Sequence, residues 1–315
     1  MAKIRLAVIG AGQFGKNHCR VVQESERAEL VAVVDVDEAR ASGFGCEALK
    51  DHRQLAGRVD AAIVSAPTSV HAEIAAELME AGIDVLVEKP ITADLASADH
   101  LLEAAERRGR VLQVGHLERF NPAVIALEGR LTLPLFFEIH RMNAFSPRSL
   151  DVDVVLDLMI HDVDVVLAFT GAEPIEVRAA GVSILSPKVD IANVRLQFAN
   201  GCVANLTASR ISTERVRKLR LFQPHQYLSL DYGRQDLAIF SVNNGQIGFE
   251  QAPVTRQEPL KLQLEGFLDC VETRKPPKTS GQAARRSLAV ALAILDKIEL
   301  HSRVVAQSLK TGWKP

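Results

Sequence analysis

Little in this sequence pulls in one electrical direction. Lysine and arginine number 37, aspartate and glutamate 39, and the formal net charge is -2. No long-range field is therefore available to hold nucleic acid or an anionic membrane surface. Cysteine is sparse as well. Cys19, Cys46, Cys202 and Cys270 lie too far apart for metal-ligand spacing. They read as reduced packing thiols of a cytoplasmic protein, not as a disulfide framework. Long apolar runs are missing: none approaches the roughly 20 residues needed to span a bilayer. "MAKIRLAVIGAG" is basic and then apolar, but it passes into "QFGKNHCR" and reads as a strand, not a signal peptide. Internal repeats and low-complexity tracts are absent too. What is present is an ordinary globular composition, 47% hydrophobic and 24% charged, over 315 residues. That length suits two domains and a sizeable core.

The first 120 residues alternate between two periods. Short runs rich in Val and Ile at 4–9, 30–34, 61–65, 85–87 and 111–114 predict strands buried on both faces. Helical stretches at 14–23, 70–81 and 95–108 separate them. The alternation predicts an α/β fold with a doubly wound parallel sheet. After "RFNPA" at 119–123 the pattern changes. A strand "LFFEIHRM" is followed by a helix over roughly 152–169, then by alternating segments such as "DIANVRLQF" and "CVANLTAS" joined by the hairpin signal Asn200-Gly201. These predict a largely antiparallel sheet with one open face. Two helices, about 260–273 and 283–301, close the chain. The expected domains are 1–121, binding a dinucleotide, and 122–315, an α/β domain for substrate and for oligomer contacts.

"GAGQFG" holds Gly10, Gly12 and Gly15 around Gln13 and Phe14, directly after the first strand and opening the first helix. In that setting Gly10 permits the tight turn and Gly12 admits a pyrophosphate to the backbone. Gly15 lets helix and sheet approach. A glycine-rich turn without a ligand is the plainer alternative. Asp35 follows Gly15 by twenty residues at the end of the second strand, the separation expected of an acid that binds a ribose 2′-hydroxyl. A carboxylate there would repel a 2′-phosphate, which favours NAD, while Arg40 close by keeps NADP open.

Two further stretches carry chemistry. In "VEKPITAD" a strand end presents Lys89, and Pro90 biases it to an extended backbone. A cation at the carboxyl end of a parallel strand faces the crevice where such sheets bind ligands. A snorkelling surface lysine is the commoner fate. In "DVDVVLDLMIHDVDVV" an otherwise apolar helix would place Asp157 and His161 on one face, extended by Asp153 and Asp164. The plain alternative is an acidic helix N-terminus with a satisfied core histidine. A metal set of Asp153, Asp157 and His161 lacks support from further His or Cys, so no metal is expected. Oxidising a secondary alcohol needs a base, which His161 can be, and a cation for the developing alkoxide, which Lys89 can be.

These pieces, "GAGQFG", "APTSVH" at 66–71, "EKP" at 88–90 and "DLMIH" at 157–161, resemble the glucose–fructose oxidoreductase/inositol dehydrogenase/rhizopine catabolism (Gfo/Idh/MocA) family over nearly the whole chain. The resemblance implies a Rossmann domain followed by an α/β domain with an open sheet, assembled as a homo-dimer or homo-tetramer. It makes Lys89 the catalytic lysine and His161 the acid/base, with Asp157 binding substrate or orienting His161. Pro67, Thr68, His71 and Glu88 would line the cofactor site, and Gln113 would lie near the nicotinamide. Members often carry glycines where this chain has "DVDVV". "HRMNAFSPRSLDVDVVLDLMIHD" looks similar to members that oxidise the 3-hydroxyl of UDP-N-acetylglucosamine or its uronic acid, and Arg119, Asn143 and Arg148 would then meet the substrate. The competing expectations are a free-sugar or inositol dehydrogenase, and a nucleotide-sensing regulator without turnover.

Overall fold

The computed structural model describes residues 2–145, 152–243 and 245–310. Its packing separates two units: Met1–Phe120 with Gln257–Arg285, and Asn121–Arg256 with Arg286–Pro315. The expected division at 121/122 therefore needs one correction, since residues 257–285 belong to the first unit.

In the first unit the chain runs β1 (Ile4–Ile9), α1 (Gln13–Glu24), β2 (Ala28–Val34), α2 (Glu38–Ala41), β3 (Glu47–Leu49), β4 (Ala61–Val64), α3 (His71–Glu80), β5 (Asp84–Val87), α4 (Leu95–Arg108) and β6 (Leu112–Val114). The six strands are parallel in the order β3-β2-β1-β4-β5-β6. Strand order reverses between β1 and β4, and open α/β sheets bind ligands at such a switch point. Every residue of β4 and β5 is buried, as the apolar runs 61–64 and 85–87 require, with Asp84 buried at the start of β5. β3 escaped the pattern because it is a three-residue edge strand with one buried position.

The returning segment explains the corrected boundary. One face of α7 (Pro259–Thr273) buries Leu260, Leu264, Phe267 and Leu268 against Cys19, Val21 and Val22 of α1. Burying each such side chain is worth about 1.5–3 kcal/mol. Polar contacts hold the rim: Arg27 meets Glu265, Asp269 and Glu272 at 2.7–2.8 Å, and Arg274 binds Asp84. Thr279 then pairs with Val114 through backbone and hydroxyl, at 2.8 and 2.7 Å.

The second unit starts with α5 (Pro122–Glu128), capped by the Asn121 side chain on the Ala123 N–H. β7 (Phe136–Ala144) follows, then a π turn over Val155–Met159 and α6 (Ile160–Thr170). Next come β8 (Pro174–Val182), β9 (Ile191–Phe198), β10 (Val203–Ser212), β11 (Val216–Gln223), β12 (Gln226–Asp231), β13 (Asp236–Asn243) and β14 (Gln246–Gln251). These eight strands form one sheet in the order β14-β13-β12-β11-β7-β10-β9-β8, antiparallel except where β7 lies parallel to β10. One face alternates into a core with α5, α6 and the apolar stripe Val290, Ala291, Ile294 and Ile298 of α8 (Gly281–Lys310). The other face carries an aromatic ladder: Phe136, Phe222, Tyr227, Phe240 and Phe249 stand opposite one another on five neighbouring strands, with ring centroids 4.9–5.9 Å apart. Among the described residues no helix is long and apolar enough to cross a membrane.

Candidate functional site

The turn from β1 into α1 shows three different uses of glycine. Gly10 has φ +92°, the left-handed region that a side chain disfavours. A Cβ on Gly15 would fall on the carbonyl oxygen of Gly10, so helix and turn could not close. A Cβ on Gly12 would meet nothing within 4 Å, which leaves the backbone open on that side. No side chain caps α1, and its first turn holds no acid. An uncapped helix N-terminus with exposed Gly12, Gln13 and Phe14 fits the diphosphate of a dinucleotide.

Asp35 is fixed at the end of β2. One carboxylate oxygen accepts from the Ala11 N–H at 2.8 Å and the other from the Asp37 N–H at 2.9 Å. It lines a cavity of about 610 Å³ together with Gly10, Val36, Arg40, Lys50 and Pro67. The nearby cations already have partners: Arg40 meets Asp37 at 3.3 Å and Lys50 meets Glu38 at 2.9 Å. A 2′-phosphate would have to displace those acids and approach Asp35, whereas a ribose hydroxyl can donate to the carboxylate. The pocket therefore fits NAD.

Lys89 stands half-buried just past β5, and the Lys89–Pro90 peptide bond is cis. Its neighbours are turned inward. The His71 ring is buried, with Nδ1 3.0 Å from the Pro90 carbonyl oxygen and Nε2 2.8 Å from that of Ala66. It ties the ends of β4 and β5 together, while Pro67 and Thr68 ahead of it stay accessible. Glu88 is buried and accepts from His18 Nε2 at 2.8 Å. Gln113 is wholly buried and donates through Nε2 to the Gln263 carbonyl of α7 at 3.1 Å. His71, Glu88 and Gln113, expected along the cofactor, are thus all buried and hydrogen-bonded at the strand ends.

In the second unit the helix expected over 152–169 is not α throughout. The Ile160 N–H reaches back five residues to the Val155 carbonyl, so Asp157 sits inside a π turn and His161 in the first turn of α6. Such turns recur at functional sites, since one added residue re-aims the side chains around it. Asp157 and His161 are both half-buried. The flanking acids leave the expected stripe: Asp153 accepts from the Val189 N–H at 2.9 Å, and Asp164 accepts from the Ser287 hydroxyl at 3.1 Å. Beside His161, Asp162 forms a buried two-pronged pair with Arg141 of β7 at 2.7 and 2.8 Å, and the Arg141 guanidinium lies 5.0 Å from the Tyr232 ring centre. Asn143 is half-buried and accepts from Arg217 at 3.4 Å, Arg119 is buried in a 3-10 turn, and Arg148 lies outside the described residues.

Among the described residues no group of three or more His, Cys, Asp or Glu is placed to hold a metal ion. Burial pushes the Cys19 thiol up to about 12 and that of Cys202 to about 11, so neither is a nucleophile near neutral pH. His18 and Arg141, which pair with Glu88 and Asp162 beside the candidate residues, were missed from sequence. A lone histidine inside a helix and an arginine in an alternating strand carry no local signal, because their partners are distant in the chain.

Two family models match: an oxidoreductase family with an NAD-binding Rossmann fold over residues 4–116, and the GFO/IDH/MocA C-terminal domain over residues 126–223. The UDP-N-acetylglucosamine 3-dehydrogenase of Acidithiobacillus ferrooxidans is 36% identical over 310 residues, covering 95% of this chain and 98% of that protein. Its crystal structure superposes with a TM-score of 0.90, covering 96% of this chain and 99% of the other. An inositol 2-dehydrogenase of Rhizobium meliloti is 30% identical over 67% of this chain and 70% of its own length.

Proposed function

The chain belongs to the Gfo/Idh/MocA family of NAD-binding oxidoreductases, and from that premise we propose that it oxidises a secondary ring hydroxyl of a sugar, at C3 of a UDP-N-acetylglucosamine-type nucleotide sugar. The carrying observation is that likeness to a UDP-N-acetylglucosamine 3-dehydrogenase runs through both units, the second included. Bound NAD supplies the hydride acceptor. His161 takes the hydroxyl proton on a ring nitrogen, and Asp157 orients that ring or binds substrate. Lys89 supplies positive charge to the oxygen that becomes an alkoxide. Asn143 and Arg148 meet the nucleotide sugar, an arginine suiting its diphosphate. Arg119, buried in its 3-10 turn, is the third residue of that set.

The test is NADH formation with UDP-N-acetylglucosamine, its uronic acid, free N-acetylglucosamine and myo-inositol. A kcat/KM at least about a hundredfold higher for a UDP-sugar is expected, since losing a bound diphosphate forfeits charge-assisted hydrogen bonds. Preference for myo-inositol or the free sugar would replace this reading with the inositol or free-sugar one, which the Rhizobium meliloti relative favours. Tight NAD binding without turnover would point to a sensing role.

The aromatic ladder supports assembly of identical chains through the open sheet face. Phe222, Phe240 and Phe249 are 37–63% exposed there, and a run of apolar rings in water favours burial. Sedimentation velocity should find a dimer or tetramer, and a single species of one chain's mass sinks the idea. Four free cysteines support a reducing, cytoplasmic setting, and fractionation that recovers the chain elsewhere overturns it.

A further inference from the structure

The buried acid beside Lys89 is held from two sides. Glu88 is only 8% exposed, and a carboxylate so placed is costly unless it is hydrogen-bonded. His18, 1% exposed on α1, donates from Nε2 to Glu88 Oε1 at 2.8 Å, and the Phe14 ring stands edge-on to the imidazole at 5.3 Å. On the other side lies Gly115, just beyond β6. A Cβ there would come within 2.5 Å of Glu88 Oε2 and 2.6 Å of Cδ, so the carboxylate occupies the space a side chain would take.

What the carboxylate does from that position concerns Lys89. The last sheet bond of the strand is the Glu88 N–H on the Val64 carbonyl at 2.8 Å. The next amide, that of Lys89, turns to Glu88 Oε2 at 3.3 Å. The carbonyl of Pro90 is met by His71. The backbone that carries the lysine is therefore held before it by Glu88 and after it by His71. α1 has its N-terminus at the glycine turn, so the same helix that frames the diphosphate site also carries the group that fixes Glu88.

We propose that His18 is a positioning residue for Lys89: by holding the Glu88 carboxylate against Gly115, it fixes the backbone amide of Lys89 and with it the direction of the ammonium. The role assigned to Lys89 rests on the dehydrogenase reading, whereas the hold on its backbone does not.

The test uses the full chain with His18→Leu and His18→Gln, the glutamine amide standing about where Nε2 does. Four quantities are read: NAD affinity by calorimetry, exchange of the Lys89 backbone amide by NMR with 15N-lysine labelling, and steady-state kcat and KM. His18→Leu should speed Lys89 amide exchange and lower kcat by about tenfold each, the equivalent of one charge-assisted hydrogen bond, while KM and the NAD Kd stay within about threefold. His18→Gln should recover most of both losses. Unchanged amide exchange, unchanged kcat, or a fall in kcat matched by an equal loss of NAD affinity without rescue overturns the proposal. If the wild-type chain turns over no sugar, the dehydrogenase reading fails and amide exchange alone decides the positioning. If His18→Leu does not fold, Gly115→Ala displaces the carboxylate from the opposite side and is read in the same way.

Discussion

Lys89→Met is expected to lower kcat by about a hundred- to a thousandfold with little change in NAD affinity, the range seen when one donor to a developing oxyanion is removed. Methionine keeps an unbranched stem of similar length and removes the charge. The residue is half-buried at a strand end, so the fold should tolerate the change. His161→Ala is expected to fall by about a hundred- to ten-thousandfold, as general bases do. The two should differ in how they respond to pH. Without His161 the rate should climb with hydroxide, because solvent must take the proton. Without Lys89 the imidazole still acts, and the pH profile should keep its shape at a lower height. Kinetics at saturating NAD across pH 6–10 check both, and full activity in either variant removes the role assigned to it.

The largest stability effect is expected at Arg141 and Asp162. Both are nearly without solvent, 2% and 1% exposed, and two short hydrogen bonds join them. Asp162→Ala takes the carboxylate from a guanidinium in the core and should cost about 3–5 kcal/mol, the range for breaking a buried ion pair from one side. Arg141→Met combined with Asp162→Leu removes both charges together, and it should be less destabilising than Asp162→Ala alone. Urea unfolding midpoints measure the difference. A double variant as unstable as the single would show that packing around Tyr232, not charge, is what the pair supplies. Because Asp162 follows His161 directly, the single variant should also lose activity before it loses structure.

Much of the first unit could be read in advance because its signals are local. Gly10, Gly12 and Gly15 lie within six residues, and each role follows from the absence of a side chain at one point. β4 is a continuous apolar run, and β1 and β5 are apolar but for Arg5 and Asp84, so length and composition predict their burial. Lys89 could be singled out because two charges and a proline at a buried strand end are out of place there. By contrast, nothing in "DVDVVLDLMIHD" distinguishes an α turn from a π turn, since the segment is apolar almost all round and no local signal marks the added residue that re-aims Asp157 and His161. The acid stripe dissolved for that reason and for another: Asp153 and Asp164 found partners at Val189 and Ser287, far along the chain. β13 and β14 were passed over because alternation in "DLAIFSVN" and "QIGFEQ" is irregular, and β14, at the sheet edge, has no buried position on either face.

Periodicity and turn chemistry alone were enough to establish a parallel sheet with a dinucleotide turn, a second sheet of alternating strands, and a lysine at a buried strand end. These depend on neighbours within a few residues, and that information is linear. Tertiary structure alone decided that α7 returns to the first unit, that Glu88 pairs with His18, and that Arg141 closes on Asp162. Each of these joins residues separated by twenty to more than two hundred positions. A hydrogen bond or an apolar contact depends on distance in space, so only the completed fold could choose those partners.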